Sequence, residues 1–373
     1  ITLVSAQYCG ISGQVTTISN QSELDSLQGC VDFYGDLSIN NDRYSQANQL
    51  DFSNAFSNLQ TIEGDLTFSH PNDDISMPKL TSIGGALSIT SHNVGSSSYY
   101  SFSNYSPNFT SVSFSSLQTI GGRLYLSDTR YLKNINFNPL TSVSSIEIVN
   151  EVSRNSASPV DLSTFNNLVS CGSLRIANRN RFYAISGFNS INSLASLEIH
   201  SSCETNISGF NQLNYIGGHM TVNNNNNMTS ISGFSSLGGG TIGGNLTVNY
   251  NNGLTSCCVL MNLAQVTNGT TSINYNGSGC GSLVGIGSNC CSVGFGCMDS
   301  NAINYNPLIQ CSDGSCIYNC NLPDSIWVSD LTYSSFSINW KQFFYSESYS
   351  IKYREQGTST WKFKTFNQSL SRA

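Results

Sequence analysis

Charge is what this chain has least of: Asp, Glu, Lys and Arg make up 10% of its 373 residues, where soluble globular domains carry roughly 25%. Helix-forming Ala, Glu, Lys and Arg are scarce, and Ser, Asn, Thr, Gly and Tyr must keep the surface wet. That palette suits a β surface outside the cell better than a helical cytosolic enzyme. Residues 1–320 hold 9 Lys and Arg against 18 Asp and Glu, and residues 321–373 hold 6 against 4. The long first part is therefore acidic and lacks the basic stripe that nucleic-acid binding needs. No apolar run reaches the roughly 18 residues of a membrane span.

Catalytic signatures are missing too. There is no G-x-S-x-G elbow, no H-E-x-x-H helix and no P-loop. His70, His92, His200 and His219 fall in different repeats with no shared ligand spacing, which reads as surface histidine rather than a metal site. Arg175, Arg179 and Arg181 with Glu198 are the one candidate cluster for a polysaccharide-cleaving β-helix enzyme, and a solvated ion-pair patch between coils is the preferred reading of it. The expectation is a protein that is not an enzyme and holds no resident cofactor.

Cysteine, by contrast, is plentiful. Thirteen of them point to an oxidising compartment, extracellular or at the cell surface. The opening ITLVSAQ, residues 1–7, reads as the tail of a signal peptide or as an ordinary first strand.

Internal repetition dominates the rest. Leu59-QTIEGDLTF, Leu80-TSIGGALSI, Leu117-QTIGGRLYL, Leu140-TSVSSIEIV, Leu168-VSCGSLRIA, Ile191-NSLASLEIH, Leu213-NYIGGHMTV and Leu237-GGGTIGGNLTV share a core L-x-x-I-x-G-x-L-x-I. Their spacing is twenty-odd residues with insertions in two places, a solenoid period. Apolar and polar residues alternate at the L-x-I end, which is strand periodicity. A preceding half-unit also repeats, as in Met228-TSISGFSSL and Phe182-YAISGFNSI, with Ile231, Phe234 and Leu237 directed inward. Glycines between Ile and Leu serve a positive φ or a close backbone approach, and the Asn-rich stretches supply left-handed turns and side-chain ladders.

The predicted fold is all-β: a parallel β-helix or leucine-rich-like solenoid with a partial β-sandwich at its C-terminal end. Its open ends need caps. Cys9 and Cys30 flank the first unit, and Cys257, Cys258, Cys280, Cys290 and Cys291 cluster after the last, so both sets read as disulfide-fastened caps. Cys171 and Cys203 fall inside the stack, where they would bridge neighbouring coils.

The repeats, together with the stretch Leu27-QGCVDFYGDLSI in which a Cys shortly precedes G-x-L-x-I, resemble the receptor L domain of the insulin and epidermal growth factor receptors and its bacterial relatives. The resemblance covers about residues 8–291. It implies a right-handed solenoid used for recognition, with no catalytic residues to carry over. More coils and a Ser/Tyr-rich insertion, residues 92–105, set this chain apart from the receptors, so their ligand surfaces do not transfer.

The resulting organisation is a signal-peptide tail (1–7), a receptor-L-like solenoid with disulfide caps (8–292), a Cys-rich module (293–320) and an incomplete fibronectin type III domain (321–373). The module, GCMDSNAINYNPLIQCSDGSC, resembles a short element of secreted bacterial proteins. Two readings stand for it: a calcium site built on Asp299, Asn301, Asn304, Tyr305, Pro307 and Asp313, or a loop closed by Cys297 and Cys316. The last segment resembles a fibronectin type III domain through the alternation of Ile338 and Trp340 and then of Tyr349, Ile351 and Tyr353. The expected function is adhesion or recognition, with a glycan or protein ligand bound through one solenoid face and inserted loops. Tyr99, Tyr100, Phe102 and Tyr105 in the insertion are the binding candidates, since aromatic side chains give contact area at low entropy cost. A passive spacer in a long adhesin is the other non-enzymatic expectation.

Overall fold

A side chain at every second position of L-x-I turns inward, and the structure follows that alternation. Leu66–Ser69, Leu87–Thr90, Met220–Asn223 and Leu246–Asn249 each bury their first and third residues and leave the second and fourth half-exposed. A computed structural model describes residues 7–41, 50–91, 109–127, 132–150, 160–178, 183–201 and 206–290, with shorter stretches between 295 and 367. The chain is mostly strand and forms a parallel β-solenoid of about nine turns, with a small antiparallel sheet near the C-terminus.

The long sheet begins at Gln7–Ile18, which pairs with Cys30–Asn40. Leu66–Ser69, Leu87–Thr90 and Thr119–Ser127 follow, each in parallel with the one before. Ser142–Asn150, Ser170–Asn178, Ser196–His200, Met220–Asn223, Leu246–Asn249 and Thr271–Asn274 continue the stack. Leu37, Leu66, Leu87, Leu124, Ile146, Leu174 and Leu197 share one inner column through this register, all at most 1% exposed.

The half-unit builds a second column. Phe114, Phe137, Phe165, Phe188, Phe210 and Phe234 stack one above the next with ring centroids 5.2 to 5.7 Å apart. All are fully buried. Ile231 and Leu237 are buried with Phe234, as the half-unit pattern predicts.

The repeat glycines serve close approach rather than positive φ. A Cβ on Gly121 would run into the Gly84 carbonyl oxygen of the coil before it, and one on Gly84 into the Glu63 carbonyl. Left-handed φ falls instead to the residue that follows several strands, His70, Ser201, Asn224, Tyr250 and Tyr275, and to Phe188 and Phe210 in the ring column. Behind three of these corners runs a buried amide ladder. Asn225 Nδ2 donates to Asn251 Oδ1 (3.0 Å), and Asn251 Nδ2 donates to Asn276 Oδ1 (2.9 Å).

Disulfides close both ends. Cys9 pairs with Cys30, Cys257 with Cys280, and Cys258 with Cys290. Short helices, Gln21–Asp25 at one end and Val259–Gln265 and Leu283–Cys290 at the other, cover the terminal coils. Cys291 lies outside the described residues. The bridge expected of Cys171 does not form: it is a buried free thiol. Cys171 pairs in register with Val143, so it stands in an inner apolar column and packs as a small hydrophobe. Cys203 lies outside the described residues.

The chain divides into two compact units, residues 1–290 and 291–373. In the second unit Cys297 pairs with Cys316, Ile326–Ser329 runs antiparallel to Ser337–Trp340, and Ser348–Tyr353 runs antiparallel to Lys362–Asn367.

Two outcomes follow from this packing. Phe165→Ala breaks the ring column in the middle and is expected to lower the unfolding free energy by about 3–5 kcal/mol, read by equilibrium denaturation. Burial pushes the Cys171 thiol from its ordinary 9.0 up to about 12. The unfolded chain therefore loses this proton first, and the thiol's contribution to stability is intact below pH 9.0 and lost as pH climbs toward 12. At pH 8 the native thiol is expected to resist alkylation and to label only after denaturation, as peptide mapping by mass spectrometry would show.

Candidate recognition surface

The outward column of the long sheet is read off the same register. The residue between the two inward positions is Ser38, Thr67 and Ser88 in the early coils and Thr221, Thr247 and Ser272 in the late ones. Between these hydroxyl stretches, Tyr125, Glu147, Arg175 and Glu198 stand on consecutive strands in direct register. An otherwise hydroxyl-lined column thus carries one charged patch at its centre.

The patch is fully cross-linked. Arg175 donates through Nη1 to Glu147 Oε1 (2.8 Å) and through Nε to Glu198 Oε2 (3.1 Å). Arg123 donates to the other Glu147 oxygen (2.8 Å), and its guanidinium sits 4.4 Å from the Tyr125 ring centroid. His200 pairs with Glu198. Among the described residues every salt bridge belongs to this patch. Burial works against the charge on Arg175, but its hydrogen bond to Glu147 and the field of Glu198 outweigh it and hold the guanidinium above its ordinary range.

The side chains of Arg123, Arg175 and Glu198 are 48%, 41% and 39% exposed, so solvent screens the pairs and each contributes about 0–1 kcal/mol to the fold. Two arginines and two glutamates leave the patch neutral overall and rich in planar donors and acceptors. Such a surface can bind a ligand bearing both kinds of group, because a guanidinium offers a fixed fork of donors and Tyr125 an apolar ring.

A shallow groove of about 510 Å³ runs beside the early coils, lined in part by Asp32, Glu63, Gly84 and Gly121. Its carboxylates are already engaged: Asp32 accepts from Thr61 Oγ1, and Glu63 from Ser12 Oγ and the Gly35 amide. Among the described residues no group of three or more His, Cys, Asp or Glu is placed to hold a metal ion.

Of the residues singled out in the sequence, Arg175 and Glu198 come together on adjacent strands. Tyr99, Tyr100, Phe102, Tyr105, Arg179, Arg181 and His92 lie outside the described residues, as do Asp299, Asn301, Pro307 and Asp313 of the Cys-rich module. His70 occupies a left-handed corner, and His219 accepts the Asn245 amide at Nδ1 (2.9 Å). Arg123, Tyr125, Glu147 and His200 were not anticipated. Aligning the repeats and reading the outward position of L-x-I as a column, Tyr-Glu-Arg-Glu, is the signal that finds Tyr125 and Glu147.

Alternation is what makes this column tolerable, and that can be tested. Arg175→Glu places three carboxylates on consecutive strands and is expected to destabilise by more than the 0–1 kcal/mol of a lost exposed pair. The deficit should shrink as salt is raised, because the repulsion is screened; thermal melts at low and high salt measure it. Comparison with known proteins finds no matching family model, no matching curated protein and no matching solved structure.

Proposed function

We propose that this chain is a secreted or cell-surface recognition protein that binds a glycan or protein ligand through the outward face of its long sheet and through inserted loops, without catalysing a reaction. The observation that carries the reading is the charged patch at the centre of that face. Its ion pairs add little to stability, yet the patch interrupts an otherwise hydroxyl-lined column with groups suited to oriented binding. A groove with a free carboxylate base beside a free cation, the arrangement a polysaccharide-cleaving enzyme requires, is not what the patch offers. Its glutamates are tied to its arginines.

The receptor L resemblance of the repeats fits this reading, and we extend it to a fibronectin type III character for the C-terminal antiparallel pairs. The disulfides at the ends of the solenoid support an extracellular setting, where they persist. No helix among the described residues is long and apolar enough to cross a membrane.

The test is an array of glycans and extracellular proteins probed with the full chain, with and without calcium, alongside an assay for newly released sugar ends. Binding without release is expected, weakened roughly tenfold or more by Arg123→Ala combined with Arg175→Ala. The melting temperature of that variant should stay within about 4 °C of the parent. Release of sugar, or the absence of any ligand whose capture depends on the two arginines, would overturn the assignment.

A further inference from the structure

The last coils hold a second surface with a different chemistry. Residues 205–298 contain no Asp, Glu, Lys or Arg at all. Within them Tyr250 and Tyr275 follow consecutive strands at the left-handed corner, with φ of 57° and 54°. A bulky residue there is uncommon, whereas Asn adopts it more readily. Ser201 and Asn224 occupy the equivalent corners of the two preceding coils.

Packing does not explain the tyrosines. Their rings stack with centroids 4.8 Å apart and planes 6° from parallel, yet Tyr250 is 49% and Tyr275 67% exposed. Strained backbone kept for a side chain that the core does not use is a mark of a functional position. The platform is also rigid. The residue after each tyrosine, Asn251 or Asn276, belongs to the buried amide ladder and donates to the Val222 and Val248 carbonyls (2.9 and 2.7 Å). The Cys257–Cys280 disulfide closes the same coils. Amides flank the tyrosines in the chain: Asn252 donates to Asn226 Oδ1 on the neighbouring coil (3.1 Å), and Asn249 and Asn274 both donate to Ser272 Oγ.

From this we infer that Tyr250 and Tyr275, with the neighbouring asparagines, form a binding platform for an uncharged saccharide. A pyranose presents a C–H face that stacks on an aromatic ring and a rim of hydroxyls that suits amide donors and acceptors. A polyanion, whether uronate polymer or nucleic acid, would find no cation in these coils to meet its charge. Preorganised rings on a locked backbone lower the ordering cost of binding. The tyrosines stand two and three strands along the register from His200 of the charged patch, and none of their contacts among the described residues involves it.

The experiment titrates the full chain with neutral oligosaccharides of glucose, mannose and N-acetylglucosamine, and with oligogalacturonate as the charged control. Tyr250→Asn combined with Tyr275→Asn is the deciding variant, because Asn224 already shows that asparagine suits this corner. Its melting temperature should equal or exceed that of the parent, which separates loss of a site from loss of fold. At least one neutral oligosaccharide is expected to bind the parent. Its affinity should fall roughly tenfold or more in the double variant. No neutral ligand bound at about 1 mM, or equal binding by the double variant, overturns this inference. Saccharide binding lost in Arg175→Ala but kept in the double variant would instead assign it to the charged patch, leaving the recognition reading standing and this one refuted.

Discussion

Parallel stacking in strict register is the constraint on which everything else depends. Each strand lies about 4.8 Å from its copy, so a side chain at any position must coexist with the residue at the same position one coil away. Apolar and amide groups gain from this: phenylalanine rings stack in a continuous buried column, and asparagines pass hydrogen bonds from coil to coil. Like charges lose from it, since directly opposed strands bring them within repelling distance. The low charge content follows, with outward columns filled by hydroxyls and amides. Where charge is used, Glu147, Arg175 and Glu198 alternate in sign along one column.

The same logic explains where the covalent links sit. An inner coil has two neighbours to pack against, and a terminal coil has one. Cys9–Cys30 ties the first strand to the second, and the Cys257–Cys280 and Cys258–Cys290 pair fastens the last coils, where stacking alone supplies half the usual contact. Midway along the stack Cys171 needs no bond, and burial keeps it a protonated apolar side chain.

The fold was legible in the sequence because the inner positions are demanding. Leu, Ile, Val and Phe recur where the core requires them, and Gly121 and Gly84 recur where a Cβ would meet the previous coil. The candidate surface was hardly legible, because outward positions accept many residues and carry no local motif. Arg123, Glu147 and Arg175 stand in three separate repeats and meet only once the register is known. Arg175 with Glu198 was visible because the two repeats were already suspected neighbours. Sequence proximity misled in one place. It suggested a bridge for Cys171, whereas register assigns that residue to the column of Val143.

Register also explains how such a stack can diversify without losing its fold. Leu87 pairs with Leu124 directly, although the intervening chain carries the insertion at residues 92–105. Length added at a corner leaves the inner columns untouched, while an extra residue within a strand would turn its inward side chains outward. Corners and outward columns are therefore where chemistry can vary freely. The charged patch and the tyrosine corners are two such variations, one placed where alternating charge is stable and the other where charge has been removed altogether.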